Sequence, residues 1–226
     1  QWCYPCRGCA IAHPFEKEGR KAMSASADLS LETALAQGLT ALNLQLGSGQ
    51  IAQLCQYANL ISKWNRVYNL TALRQQETIL THHLLDCLAI INPLANWAKE
   101  NGLAHPNILD VGSGAGLPGL VIAICQPDWN IHTIDTVGKK AAFMQQVAAQ
   151  LQLKNVAVHH GRVENLGQQN PMRFDLITSR AFSSLSDFLI WTNSVRATTG
   201  MWVAMKGKLP DLSEYVNLKE LYCVNN

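Results

Sequence analysis

The sequence predicts an α/β fold, a mostly parallel sheet with helices on both faces, preceded by a small amino-terminal helical cap. Three observations carry it. After Asn107, apolar runs of strand length alternate with segments that suit helices. Before Asn107, apolar residues recur at helical spacing. And the run Ile108, Leu109 and Val111 opens directly into glycines at 112, 114, 116 and 119, with Pro118 suited to a first helical turn. That is strand, tight turn, helix.

Closely spaced glycines let the backbone take positive φ and approach a ligand, and the helix behind them offers unpaired N–H groups. A nucleotide-like ligand suits such a loop. A second apolar run, Ile131 to Ile134, ends at Asp135, where an acidic side chain accepts from ribose hydroxyls. The dinucleotide pattern G-x-G-x-x-G wants its third glycine at 117, but Leu117 stands there and Gly116 falls one place early, which weakens a nicotinamide reading. Asp110, just before the first glycine, suits an ammonium group better than a pyrophosphate. S-adenosylmethionine carries such an ammonium. The competing reading is a glycine-rich turn of some other α/β protein, and it weakens once Asp110 and Asp135 are both placed.

With 226 residues, 48% hydrophobic and 15% charged, the chain can bury one substantial core and a small appendage. No apolar run approaches the roughly 18 residues that span a bilayer, and the first 30 residues lack a secretory apolar stretch, so a cytoplasmic protein with no membrane partner is expected. A net charge of +2 makes any nucleic-acid contact local rather than global. Of seven cysteines, Cys55, Cys87, Cys125 and Cys223 sit singly in apolar segments, as reduced core cysteines do. Cys3, Cys6 and Cys9, with His13 nearby, have a metal-like spacing. Met23 looks like a natural start, however, so residues 1–22 are read as a leader or tag-like segment outside the fold, and no metal is expected.

The expected division is a cap over 23–104 and the α/β domain over 105–226. In the cap, Leu31, Leu35, Leu39, Leu42 and Leu46 share a helical face that Gly47-Ser48-Gly49 terminates. A second helix buries Ile51, Leu54, Cys55, Ala58, Ile61 and Ser62, and a third runs from Glu77 to Ile91, ended by Asn92-Pro93. Beyond it come a strand at 107–111, helix 118–125, strand 130–135, helix 139–151 with Ala142, Phe143, Val147 and Leu151 inward, strands 155–159 and 173–178, helix 183–196 and strand 201–205. In an open parallel sheet the ligand lies beyond the carboxyl ends of the strands, which gathers Gly112 to Gly116, Asp135, His160 to Glu164 and Ser179 to Ala181 at one crevice.

These segments resemble the RsmG (GidB) family of bacterial methyltransferases, which act on N7 of a guanine in small-subunit (16S) ribosomal RNA. The resemblance rests on KWNRVYNLTALR at 63–74, HHLLDCL at 82–88, ILDVGSGAGLPGL at 108–120, TIDTVGKKAAFM at 133–144, GRVENL at 161–166, FDLITSRAFSSL at 174–185 and Lys206-Gly207. It implies a Rossmann-like (class I) methyltransferase domain and S-adenosylmethionine as cofactor. By the same resemblance, Asp110, Gly112, Gly114, Leu117, Asp135, Val163, Glu164 and Arg180 line the cofactor, and His83, Lys139, Arg162 and Lys206 are candidates for substrate contact. The implied partner is ribosomal RNA or the ribosomal subunit, with no obligate protein partner evident. Taken without the family, His83 reads as a satisfied core histidine, Lys139 as a helix-start charge and Glu164 as a first-turn carboxylate. Trp64 and Tyr68 read as packing residues rather than base platforms. Arg180 differs, because it follows Leu176-Ile177 at a strand end, where the crevice lies.

The residues at the fourth strand end fit that chemistry. Methylating an amine or a hydroxyl requires a proton to leave and a base or clamp to manage it. Guanine N7 already holds an in-plane lone pair, so alignment and exclusion of water suffice, and no catalytic residue is assigned. One departure concerns the carboxyl end. Methyltransferases of this type insert an antiparallel last strand into the sheet, but Leu218 to Val224 supplies at most one strand, so that last strand is expected to be missing and the chain truncated after Pro210. The rival functions are an RNA-binding or assembly factor with a vestigial cofactor fold and, more remotely, a nucleotide-dependent oxidoreductase.

Overall fold

The computed structural model describes residues 11–12, 31–68, 83–169, 172–180, 182, 184–206 and 221–225. The sheet holds β1 (Ile11–Ala12), β2 (Asn107–Val111), β3 (Asn130–Asp135), β4 (Val156–His160), β5 (Phe174–Ser179), β6 (Arg196–Lys206) and β7 (Leu221–Asn225). Their spatial order is β1-β7-β6-β5-β2-β3-β4, and every pairing among the described residues is parallel. The chain winds from β2 outward to β4, then returns to β5 on the other side of β2. The order therefore reverses between β2 and β5, and the carboxyl ends of those two strands frame the crevice.

The parallel centre agrees with the sequence-based expectation, and the edge differs. The stretch Leu218 to Val224, expected to supply at most one strand, contributes to β7, which lies parallel beside β6 with Cys223 opposite Ala204. The segment set aside as a leader contributes backbone to the edge, because Ile11 and Ala12 pair with Cys223 and Val224. Strand β6 is also longer than expected. It starts at Arg196, and its register against β5 slips between Phe174 and Leu176, so the exposed Thr198 and Thr199 read as loop in the sequence.

Side chains alternate along the central strands β2, β3, β5 and β6, and the two faces enter two cores. Ile108, Ile131, Leu176, Val203 and Met205 face a large cluster that also takes in the cap. Leu109, Ile134, Ile177, Trp202 and Ala204 face a smaller one with Val163, Phe188 and Leu189. The strands read as continuous apolar runs for this reason.

The cap comprises α1 (Leu31–Ala41), α2 (Ser48–Tyr68), α3 (Leu85–Leu88) and α4 (Ile91–Glu100). Leu35 and Leu39 of α1 and Leu54, Cys55, Ala58 and Ile61 of α2 are buried at the expected spacing. Gln50 donates to the carbonyls of Ile124 and Cys125, and Gln53 to that of Leu151, which pins α2 across the sheet's helices. The expected helix 77–91 is corrected in part. Residues 69–82 lie outside the description, and Asn92-Pro93 starts a helix instead of stopping one. A proline in the first turn forfeits only an N–H that has no intrahelical acceptor, so Pro93 fits there.

The α/β half adds α5 (Gly119–Cys125), α6 (Gly138–Gln150), α7 (Val163–Gln169) and α8 (Leu185–Thr192), the last followed by a short 3-10 turn at Asn193–Val195. Pro118 is the residue before α5 rather than its first member. In α6 the buried face is Ala141, Phe143, Met144 and Val147, and Ala142 points outward, one place off the expected stripe. Helix α7, given no bounds in the sequence analysis, places Glu164 in its first turn, as expected there. Trp64 packs on Phe143 with ring centroids 5.2 Å apart, as a packing residue does, while the side chain of Tyr68 lies outside the described residues.

Candidate active site

The glycine loop follows β2. Gly112, Gly114 and Gly116 take φ of 67°, 60° and 89°, the left-handed region that other residues enter at a cost. Three separate groups hold the loop in that shape. The amides of Gly112 and Ser113 donate to the carbonyl of Ile134 on β3. The amide of Gly114 donates to Asp135 Oδ2 at 2.9 Å. From the cap, the buried Tyr57 hydroxyl donates to the carbonyl of Ala115 at 2.5 Å. Among the described residues, a Cβ on Gly112 would meet only Phe182, at 4.0 Å, and one on Gly114 only the Gly112 carbonyl, also at 4.0 Å, so these residues leave an open cradle at the loop.

Asp110 lies beneath this loop, fully buried. Its Oδ2 accepts from the amide of Gly119 at the start of α5, at 2.9 Å, while Oδ1 has no hydrogen-bond partner among the described residues. Burial pushes the carboxyl up to about 7, against the opposing pull of the Gly119 amide, the Ser113 hydroxyl and the Arg180 guanidinium. A buried carboxylate oxygen without a partner is costly, and a cationic ligand group at the loop would relieve it.

Asp135 ends β3, as anticipated, but its present bonding is to the protein. Oδ1 accepts from the amide of Val137 at 2.8 Å, Oδ2 from Gly114, and the Lys140 ammonium stands 3.9 Å from Oδ2. The carboxylate is thus a clamp between the two loops, with lone pairs to spare for further donors. Lys139, the lysine named from the sequence, is exposed, and it is the next residue that approaches the acid. Beside them, the apolar Val137 is 43% exposed, and Val163 is buried at the start of α7.

Arg180 and His83 come together although nearly a hundred residues separate them in sequence. The Arg180 guanidinium donates to His83 Nδ1 at 2.7 Å; Nδ1 therefore accepts, which fixes the neutral tautomer protonated at Nε2. Lys206, at the end of β6, donates from Nζ to the carbonyl of Phe182. Gly112, Gly114, Asp135, Arg180 and Lys206 thus stand at the carboxyl edge of the sheet, with Val163, Glu164 and Arg162 just past β4. Leu117 is buried with 2% exposure, which leaves its backbone as the part able to meet a ligand. Arg162 is exposed.

Sequence reasoning missed Tyr57 and Phe182, and it counted Gly119 among the loop glycines without the close packing that requires it. Each is a matter of distance in the chain or of space. Tyr57 reaches Ala115 from a different helix. A Cβ on Gly119 would stand 2.8 Å from Thr133 Cγ2 and 2.9 Å from Asp110 Oδ2. No cluster of three or more His, Cys, Asp or Glu side chains able to hold a metal occurs among the described residues; Cys3, Cys6, Cys9 and His13 lie outside them. Cys55, Cys87 and Cys125 are free, buried thiols.

A parallel sheet whose order reverses beside a positive-φ glycine loop, with one acid under the loop and another at the next strand end, defines a Rossmann-like methyltransferase domain. Within that class the chain belongs to the GidB family, described as rRNA small subunit methyltransferase G, whose family model matches residues 50–226. The ribosomal RNA small subunit methyltransferase G of Acidovorax sp. (strain JS42) is 48% identical over 193 residues, covering 83% of this chain and 84% of that one. Its counterpart in Albidiferax ferrireducens is 50% identical over 187 residues, covering 80% and 82%. Among solved structures, a SAM-dependent methyltransferase from Agrobacterium tumefaciens aligns over 60% of this chain and 50% of that one at 12% identity, with a TM-score of 0.45.

Proposed function

We propose that this protein uses S-adenosylmethionine to methylate N7 of a guanine in small-subunit ribosomal RNA. The observation that carries the reading is the open glycine cradle at the switch point, set above a buried carboxylate oxygen that has no hydrogen-bond partner among the described residues. When bound, the cofactor supplies a methyl group on a sulfonium, activated toward a neutral nucleophile. Gly112 and Gly114 would let its backbone-facing side come close, Asp110 would meet its ammonium, and Asp135 would take ribose hydroxyls on its remaining lone pairs. Val137 and Val163 offer apolar walls for a base, with Glu164 at the head of α7 beside them.

What remains for the protein is placement. Guanine N7 needs no proton removed, so the barrier falls mainly through alignment with the methyl group and exclusion of water. Arg180, held by neutral His83, and Lys206, held by the Phe182 carbonyl, put two cations at the strand ends where an RNA backbone would approach. Exposed Lys139 and Arg162 extend that basic rim. No helix among the described residues is long and apolar enough to cross a membrane, and an enzyme acting on ribosomal RNA would work in the cytoplasm.

Calorimetric titration tests the cofactor, and transfer of labelled methyl tests the substrate. S-adenosylmethionine should bind and NAD should not, and label should pass to small-subunit RNA. Binding of NAD alone would restore the oxidoreductase reading; RNA binding without any methyl transfer would favour an assembly factor.

A further inference from the structure

The side of the crevice opposite the cap carries an aromatic series the mechanism has not used. Phe188 of α8 is buried in the smaller core. Phe182 tilts against it at 5.5 Å, and Trp191 meets Phe182 edge-on at 5.6 Å. The series begins beside the glycine loop, where Phe182 Cδ2 is the nearest atom to a Cβ built on Gly112, and ends at the surface, where Trp191 is 39% and neighbouring Ile190 69% exposed. The Lys206 ammonium holds the carbonyl of Phe182 and so sets a cation at its base.

Such an arrangement answers a specific difficulty. In A-form RNA the major groove, where purine N7 lies, is too deep and narrow for a protein to enter, so a guanine methylated there must be unpaired or turned out of its helix. A base taken from its stack needs another π face, and aromatic side chains provide one. Resting on the functional reading above, we propose that Phe182 and Trp191 form the stacking surface for the RNA, Phe182 beside the guanine presented to the glycine loop and Trp191 under an adjoining nucleotide. The nearby Lys206 and Arg180 suit the phosphates between two such bases. A packing role alone accounts for Phe188, which is 1% exposed, but leaves Trp191 and Ile190 facing outward beside the site.

The test uses the full chain, S-adenosylmethionine and small-subunit RNA. Trp191→Ala should raise KM for RNA about tenfold, as expected for one lost stacking contact. Melting temperature and S-adenosylmethionine affinity should not change, and Trp191→Phe should recover most of the loss. Phe182→Leu, which keeps bulk but not the π face, should lower kcat more than it raises KM. Of the six tryptophans, Trp191 should account for the quenching of fluorescence by RNA, so the quench should shrink in Trp191→Phe. Unchanged KM in Trp191→Ala, or an undiminished quench in Trp191→Phe, would overturn the proposal while wild-type methyl transfer still upheld the functional reading. A wild-type dimer that Trp191→Ala dissociates would instead make this face a contact between copies. Failure of the wild-type protein to methylate RNA at all would defeat the functional reading itself.

Discussion

The hydroxyl of Tyr57 donates to the carbonyl oxygen of Ala115 at 2.5 Å, so the second helix of the cap grips the glycine loop directly. Tyr57 is fully buried, and a Cβ on Gly116 would stand 3.2 Å from its oxygen. Loop shape is therefore set partly from outside the α/β half. Tyr57→Phe removes one buried hydrogen bond and leaves a buried carbonyl unsatisfied, a cost of about 1–3 kcal/mol. Melting should fall by several degrees, and S-adenosylmethionine affinity should fall with it. Unaltered affinity in the variant would mean that the loop keeps its shape without the cap.

Two glycines of the same loop should fail in different ways. At Gly119 an added Cβ would crowd Thr133 and Asp110 inside the core, so Gly119→Ala should lose about 1–3 kcal/mol of stability by overpacking. At Gly112 there is space, but φ is 67°, and the new methyl would project toward the cradle. Gly112→Ala should therefore stay folded and lose cofactor affinity. Thermal melts and calorimetric titration of the pair decide this, and equal effects of the two substitutions on both quantities would contradict it.

Asp135 joins the amides of Gly114 and Val137 through its two oxygens. Asp135→Ala should weaken S-adenosylmethionine by about 1.5–3 kcal/mol, the range for hydrogen bonds to a charged group, through direct contact and loosened loops together. Asp135→Asn keeps one acceptor and should fall between. A folded Asp135→Ala protein that binds the cofactor as the parent does would remove Asp135 from the site.

The positive-φ loop was legible because its chemistry is local: glycines at 112, 114 and 116 announce backbone that other residues resist. Asp110 and Asp135 were legible as strand-end acids, but their present partners, Gly119 for one and Gly114 and Val137 for the other, depend on how loops fold back. Pro93 misled because a proline that ends one helix also fits the first turn of the next. Strand β6 was shortened because Thr198 and Thr199 are exposed where the register slips. The Tyr57, Phe182 and His83 contacts join distant segments, and nothing in the local pattern of Tyr57 or Phe182 marks them. The parallel direction of β7 beside β6 likewise reflects pairing rather than pattern.

Buried Asp110 and half-buried His132 should shape stability against pH in opposite directions. Asp110 is pushed up to about 7 from its ordinary 3.8 by burial, so between those values the folded protein keeps a proton that the unfolded chain has released, and stability falls as pH rises. His132 is lowered from 6.5 to about 4, first by burial and then by the charge of His159, whose ring nitrogen lies 2.9 Å away. Between pH 4 and 6.5 the unfolded chain binds a proton that folded His132 refuses, so this contribution to stability is lost as pH falls. Asp110→Asn should leave a steeper rise of stability with pH across this window, and His132→Gln a fall. Denaturant titrations at several pH values give the slopes, and identical slopes in the two variants would contradict these assignments.

The most direct measurement is of the product. Protein, methyl-labelled S-adenosylmethionine and small-subunit RNA, free or in the subunit, are incubated, and the RNA is then reduced with borohydride and treated with aniline, which breaks the chain at 7-methylguanine. Label should enter the small-subunit RNA, and cleavage should fall at a single guanine that carries it, with neither result in Gly112→Val. A folded, cofactor-binding protein that transfers no label, or that places label in RNA resistant to cleavage, would contradict methylation at guanine N7.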